Sequence, residues 1–191
     1  AVFTSGGDIK IASKSDILNA SAQSLIKAGG DMTFACENCN IGEESSYLNL
    51  DASGLINAFG DDIHINSKGS ASVLGKVVAE KDVNVLASVS DLVLNDVVSA
   101  ENGSAVLESA SNIFSGAEGY VAAHDINLTA QSGSIGTEEN PLKTDGSSLW
   151  EASSLAAKAE KGIYLTGFAN GLKIDSLTVN SGDVSVITDE D

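Results

Sequence analysis

The sequence predicts an all-β chain wound as a parallel β-helix, a solenoid of about 20 residues per coil. Three observations predict it. One phrase recurs, an Asp or Gly followed by apolar, any residue, apolar: Asp8-Ile9-Lys10-Ile11, Asp31-Met32-Thr33-Phe34, Asp62-Ile63-His64-Ile65, Asp82-Val83-Asn84-Val85, Asp125-Ile126-Asn127-Leu128, Gly162-Ile163-Tyr164-Leu165 and Asp183-Val184-Ser185-Val186. Successive starts lie 23, 31, 20, 43, 37 and 21 residues apart, so most gaps are near one or two units of a fixed period, as in a stacked repeat. The alternation within each phrase is that of a half-buried strand and not of a helix. Composition agrees: aromatics make up 5% of the chain and Pro occurs once, while Gly, Ser, Ala and Asn abound, which suits short strands joined by tight turns.

Between the phrases lie further alternating segments, at residues 47–50, 91–94, 172–175 and 177–180, so each unit holds two or three short strands. Turns are expected at Gly6-Gly7, Gly29-Gly30, Ser53-Gly54, Asn102-Gly103, Ser132-Gly133, Asn170-Gly171 and Ser181-Gly182, where glycine permits positive φ. About twenty residues are too few for the four strands of a propeller blade, and such short strands do not stand alone. Three strands per coil fit, and roughly nine coils at about 4.8 Å each make a rod on the order of 43 Å long. The apolar pairs of the phrases are expected to stack as ladders inside the coil, each phrase marking a rung.

Residues 1–191 read as a single β-helical segment. The repeat is already running at residue 8 and still running at residue 186, and no initiating Met is present, so the expectation is a piece of a longer protein. Two stretches break the pattern, residues 35–46 and 136–154. Excursions from a regular solenoid are where specific contacts concentrate, and they are the first places to look for a site.

Ten Lys and no Arg stand against 27 acidic residues, a net charge of -17. Nucleic acid and anionic lipid both need a basic footprint, so neither is an expected partner. No run of 18 apolar residues is present, so no insertion of this segment into a membrane is expected. The charge also opposes edge-to-edge joining of stacked sheets.

Gly133-Ser134-Ile135-Gly136-Thr137-Glu138-Glu139-Asn140-Pro141-Leu142 resembles the Ile-Gly-Thr-x-x-Asn-Pro-Leu motif of filamentous hemagglutinin-like exoproteins, and Leu155 to Thr166 resembles the leucine-alanine-rich, Gly-Asp-Ile-Tyr-Leu pattern that follows it there. The recurring phrase extends the likeness over nearly the whole chain. The resemblance implies a large secreted bacterial protein, exported by two-partner secretion through an outer-membrane transporter, with a stalk that is a right-handed parallel β-helix. Members act as adhesins, as leukotoxins or haemolysins, or as stalks that display a toxic tip to competing cells. Gly162 stands where the family has Asp, residues 147–154 with Trp150 read as an insertion, and no secretion domain is recognisable, which suggests stalk and not export signal.

Cys36-Glu37-Asn38-Cys39 is the sharpest chemical candidate: a disulfide that pins the excursion, a pair of free thiols, or a redox or zinc site. The secreted context that the resemblance implies favours the disulfide. Zinc would need two more ligands, and the histidines, His64 and His124, stand on separate units. His64 occupies the outward slot of its phrase and is expected to be solvated; His124 precedes Asp125 at a turn. No Ser or Cys partner is placed by spacing, so no hydrolytic triad is expected. The acidic groups Asp61-Asp62, Glu43-Glu44, Glu138-Glu139 and Asp189-Glu190-Asp191 are adjacent in sequence, and adjacent strand residues face opposite ways, which disfavours cooperating carboxylates. The Gly-Gly-x-Gly-x-Asp nonapeptide of calcium-binding β-rolls is absent, so neither metal nor cofactor is expected. The sequons at Asn19, Asn102 and Asn127 are of the number that an Asn-rich chain yields by chance. Glu43, Glu44, Glu138, Glu139 and Trp150, on the excursions, are the contact candidates.

The expected role is a structural and adhesive stalk segment, not an enzyme, secreted or at the bacterial cell surface, meeting a host-cell or matrix component or a neighbouring bacterium. The second expectation is the receptor-binding part of a leukotoxin or haemolysin, and the third a β-helical polysaccharide lyase or hydrolase.

Overall fold

In the computed structural model, which describes residues 2–145, 154–167 and 173–188, the chain is all β and its strands stack in parallel as a solenoid of about 8 turns with roughly 22 residues per turn. Two columns define the winding: Ile9, Met32, Ile56, Leu74 and Leu94 lie in register, each on the next, and Leu92, two positions before Leu94 on the same strand, opens a second column through Ile113, Ile135, Ile163 and Val184. From Met32 to Ile163 these side chains are buried to 1% exposure or less. Burying each is worth about 1.5–3 kcal/mol, which is the drive for stacking coil on coil. The turn is slightly longer than the twenty residues expected because several coils extrude loops.

Each coil has three faces. The columns above lie on the first. A second runs through Phe34, Ala58, Val77, Val98, Val121 and Thr144. The third carries two inward columns: Ile17, Ile41, Ile63, Val83, Ala105, Ile126 and Leu155, and beside it Leu48, Ile65, Val85, Leu107, Leu128 and Ala157.

The recurring phrase therefore does not mark a single position in the coil. Those starting at Asp8, Asp31, Gly162 and Asp183 lie on the first face, whereas those at Asp62, Asp82 and Asp125 lie on the third. Both faces impose the same alternation, because each buries every second side chain against the same core. The long gaps of 31 and 37 residues are the places where the phrase changes face. Strands Leu55–Gly60 and Ser72–Ala79 complete the first and second faces with no leading Asp at all.

The Asp of the phrase has a defined task. Asp8 Oδ1 accepts the backbone N–H of Asp31 (2.9 Å), and Asp31 Oδ1 that of Leu55 (2.8 Å), so each carboxylate caps the strand start of the next coil. The third face repeats this through Asp16 to Asn40, Asn40 to Asp62, Asp62 to Asp82 and Asp82 to Ser104, at 2.7–3.3 Å. Asp91, Asn112 and Ser134 form a further series. Burial pushes the Asp91 carboxyl upward, but hydrogen bonds from the Asn112 backbone and side chain outweigh it and hold the group below the ordinary range. The glycine before several capped N–H groups makes room for the cap. A Cβ on Gly30 would strike Asp8 Oδ1, and one on Gly75 would strike the Asn57 side chain, whose Oδ1 accepts Lys76 N–H at 2.9 Å.

One corner inside the coil is polar. Ser67, Ser72, Ser90 and Ser109 are buried there; Ser72 Oγ donates to Ser67 Oγ at 2.7 Å, and Ser109 Oγ donates to the Ser90 carbonyl at 2.8 Å. Short hydroxyls let the chain bend sharply while each buried oxygen keeps a partner. The end coils are different in kind: Val2 and Phe3 at one end are 67% and 60% exposed, and Val184 and Ile187 at the other 48% and 53%.

Two outcomes follow from this packing. Ile126→Asp places a charge in a fully buried column with no partner and is expected to abolish cooperative folding; a thermal melt matching wild type would remove Ile126 from the core. Gly75→Ala is expected to cost about 2 kcal/mol in urea denaturation but markedly less in an Asn57→Ala background, because the nearest atoms the added methyl meets belong to that side chain.

Candidate functional site

The two expected excursions share one design. Ile41 and Leu48 pair with Ile63 and Ile65, and Ile135 and Leu142 pair with Ile163 and Leu165. In each case the earlier coil uses six residues where the later coil uses one. Gly42 and Gly136 start the two loops with φ of 74° and 65°, and a Cβ on either would run into the carbonyl of His64 or Tyr164 in the coil that follows. Reciprocal backbone bonds between Glu43 and Ser46, at 3.2 and 2.9 Å, close the first loop, and Thr137 N–H donating to the Asn140 carbonyl at 3.0 Å closes the second. The shared spacing Ile-Gly-x5-Leu is visible in the sequence and identifies the pair.

The boundaries differ from the expectation. Residues 32–36 are strand, so the first loop is confined to the part beyond the cysteines. The stretch 136–154 is divided by the strand Leu142–Asp145, and Trp150 lies outside the described residues. Glu43, Glu44, Glu138 and Glu139 are exposed on the loop tips. Asn140 Nδ2 donates to the Ser115 carbonyl at 2.7 Å, so the second loop rests on the end of the strand Ile113–Ser115 in the preceding coil.

Cys36 and Cys39 are joined by a disulfide with their Cα atoms 5.3 Å apart, at the point where the chain leaves the strand Met32–Cys36. The bridge closes the turn that leads to Ile41 and the first loop.

His64 is not the solvated residue expected. It occupies the outward slot of Ile63–Ser67, yet is only 9% exposed, because Tyr47 at the foot of the first loop lies across it with ring centroids 5.6 Å apart. Its Nδ1 is buried without a hydrogen-bond partner, as is Asn66 Oδ1 two residues on. Burial pushes the imidazole pKa down, against the opposing pull of the Asp62, Glu44, Asp82 and Glu43 carboxylates. Burial also raises the Tyr47 hydroxyl, followed by the influence of Glu108 and Glu44. His124 is half exposed, with Nδ1 3.1 Å from Asp125 Oδ2. The Ser154 hydroxyl, and after it His124, hold the Asp125 carboxyl below its ordinary range. Asp61 and Asp62 both face Lys81, at 3.5 and 4.0 Å.

A surface groove of about 400 Å³ lies on the outside of the second face, and sequence reading gave no sign of it. Its floor is a register column: Phe59, Val78, Ser99, Ala122 and Asp145. Lys76, Val97 and Tyr120 form one flank and Glu101 lies on the other. The flank is built by a corner that widens from coil to coil. The second-face residue follows its first-face partner by two positions at Ile56 and Ala58, by three at Leu74 and Val77, by four at Leu94 and Val98, and by six at Ser115 and Val121. Asp145, at the end of the floor, has its carboxyl pKa raised by burial. The arrangement offers half-buried apolar surface, two carboxylates, one ammonium and a phenol to anything lying along the rod.

Labelling of unreduced protein is expected to find no free thiol and labelling after reduction two, with loss of about 2 kcal/mol of stability from the opened loop. Two thiols in the unreduced protein would refute the bridge. For His64, the unfolded state binds more protons than the folded state below the ordinary histidine pKa of about 6.5. Its contribution is therefore complete above that pH and is lost as the pH falls towards the depressed folded value. His64→Gln is expected to lessen the loss of stability between pH 8 and pH 5, read by urea denaturation, and an unchanged pH dependence counts against burial.

No family profile, curated protein or solved structure matches the chain, so its function is argued from its own geometry and from the motifs it carries.

Proposed function

We propose that this chain is a stalk segment of a large secreted bacterial exoprotein, a rigid spacer whose lateral surface makes adhesive contacts with a host or neighbouring cell. The observation that carries the proposal is the stack of nine strands from the one holding Ile9 to the one holding Val184, with parallel backbone pairing on every step and buried apolar side chains between them. Such a coil is stiff along its axis because bending it breaks several ladders at once. Eight steps at about 4.8 Å extend the described segment by about 38 Å. The Ile-Gly-Thr-x-x-Asn-Pro-Leu likeness supports the exoprotein assignment, and the loop it forms is the counterpart of Ile41 to Leu48, so the motif belongs to the winding itself. On this reading the loop tips carrying Glu43, Glu44, Glu138 and Glu139, together with the groove on the second face, are the surfaces presented to a partner.

Beads coated with the purified chain are expected to attach to epithelial cells or matrix above the level of beads coated with the Ile126→Asp variant. Attachment no better than that variant would remove the adhesive role and leave a spacer. Lysis of leukocytes by the parent protein that is lost when this segment is deleted would favour the cytotoxin reading instead.

A further inference from the structure

We infer that the groove on the second face binds a linear, uncharged oligosaccharide lying along the solenoid axis. The inference rests on the lateral surface being a contact surface and names the chemistry it selects. The floor runs across five coils, four steps of about 4.8 Å, so it admits a chain of about 19 Å and not a compact molecule. Two aromatic rings, Phe59 and Tyr120, sit on this strip three coils apart, about 14 Å. On the two coils between them Val78 and Ser99 keep the floor low. Aromatic faces favour the C–H face of a pyranose ring, while carboxylates accept hydrogen bonds from its hydroxyls.

Other occupants fit less well. The Glu101 and Asp145 carboxylates, on a chain of net charge -17, repel an acidic polysaccharide. An extended peptide usually gains affinity by pairing with a free strand edge, and among the described residues the groove floor is already paired from coil to coil. An apolar ligand would have to bury Lys76, Glu101 and Asp145 without partners.

Isothermal titration of the whole chain with cellohexaose, chitohexaose, hexagalacturonate and hexalysine tests this. Heat is expected with a neutral hexasaccharide at millimolar concentration, and none with hexagalacturonate. Tyr120→Ala is expected to weaken binding about fivefold, and Asp145→Asn, which keeps the shape, about tenfold. Lys158→Ala, on the third face, leaves binding unchanged. Melting curves establish that each variant is folded. Four outcomes overturn the inference: no heat with either neutral hexasaccharide from a folded chain, preferential binding of hexalysine or hexagalacturonate, binding indifferent to both groove substitutions, or release of new reducing ends, which would assign the carboxylates to cleavage. Cell attachment that persists in Asp145→Asn, with saccharide binding lost, would separate this inference from the adhesive reading, since the loop tips would then carry the contact.

Discussion

The structure depends on one hydrogen bond made over and over: a carboxylate or amide oxygen at the start of one strand accepts the N–H at the start of the strand stacked on it. A coil of three short strands has little to hold its corners, because the chain turns where ladder pairing stops. The Asp8, Asp31, Asp62, Asp82, Asp91 and Asn112 side chains supply the missing partner at those corners. The bond also explains the glycines. Wherever the receiving corner has Gly30, Gly54, Gly75, Gly103 or Gly133, the oxygen of the coil below occupies the space a Cβ would take. A Gly-Asp pair is thus a socket for the previous coil and a plug for the next.

Acidic residues in these corners serve stacking as well as solubility. Each Asp cap places a negative charge beside a backbone N–H, where it is favoured, so part of the net charge of -17 is structural. The caps are arrayed along the edges of the prism, and the apolar columns fill its interior. Neither set is sufficient alone: the columns provide most of the stabilisation, and the caps fix which residue meets which. A slip of one residue would turn every buried side chain outward.

Much of this was legible in the sequence. The all-β parallel solenoid followed from the period and the alternation, and the two excursions were visible as interruptions. The assignment of phrases to faces was not legible, because Ile9-Lys10-Ile11 and Ile63-His64-Ile65 obey the same pattern for different faces. The burial of His64 depends on Tyr47, seventeen positions earlier, which the first loop brings across it. The groove was hidden for a related reason. Its floor joins residues 59, 78, 99, 122 and 145, and their alignment depends on how many residues each intervening corner holds. Spacing in the sequence shows only the total per turn, not its division among three corners.

The widening corner between the first and second faces has a consequence for how such a chain can vary. The columns on either side keep their register whether two, three, four or six positions separate them. The pairing on both sides therefore survives changes in the length of chain at that edge. A lineage of such solenoids can rewrite its outer surface one corner at a time, keeping the same skeleton while altering what it touches.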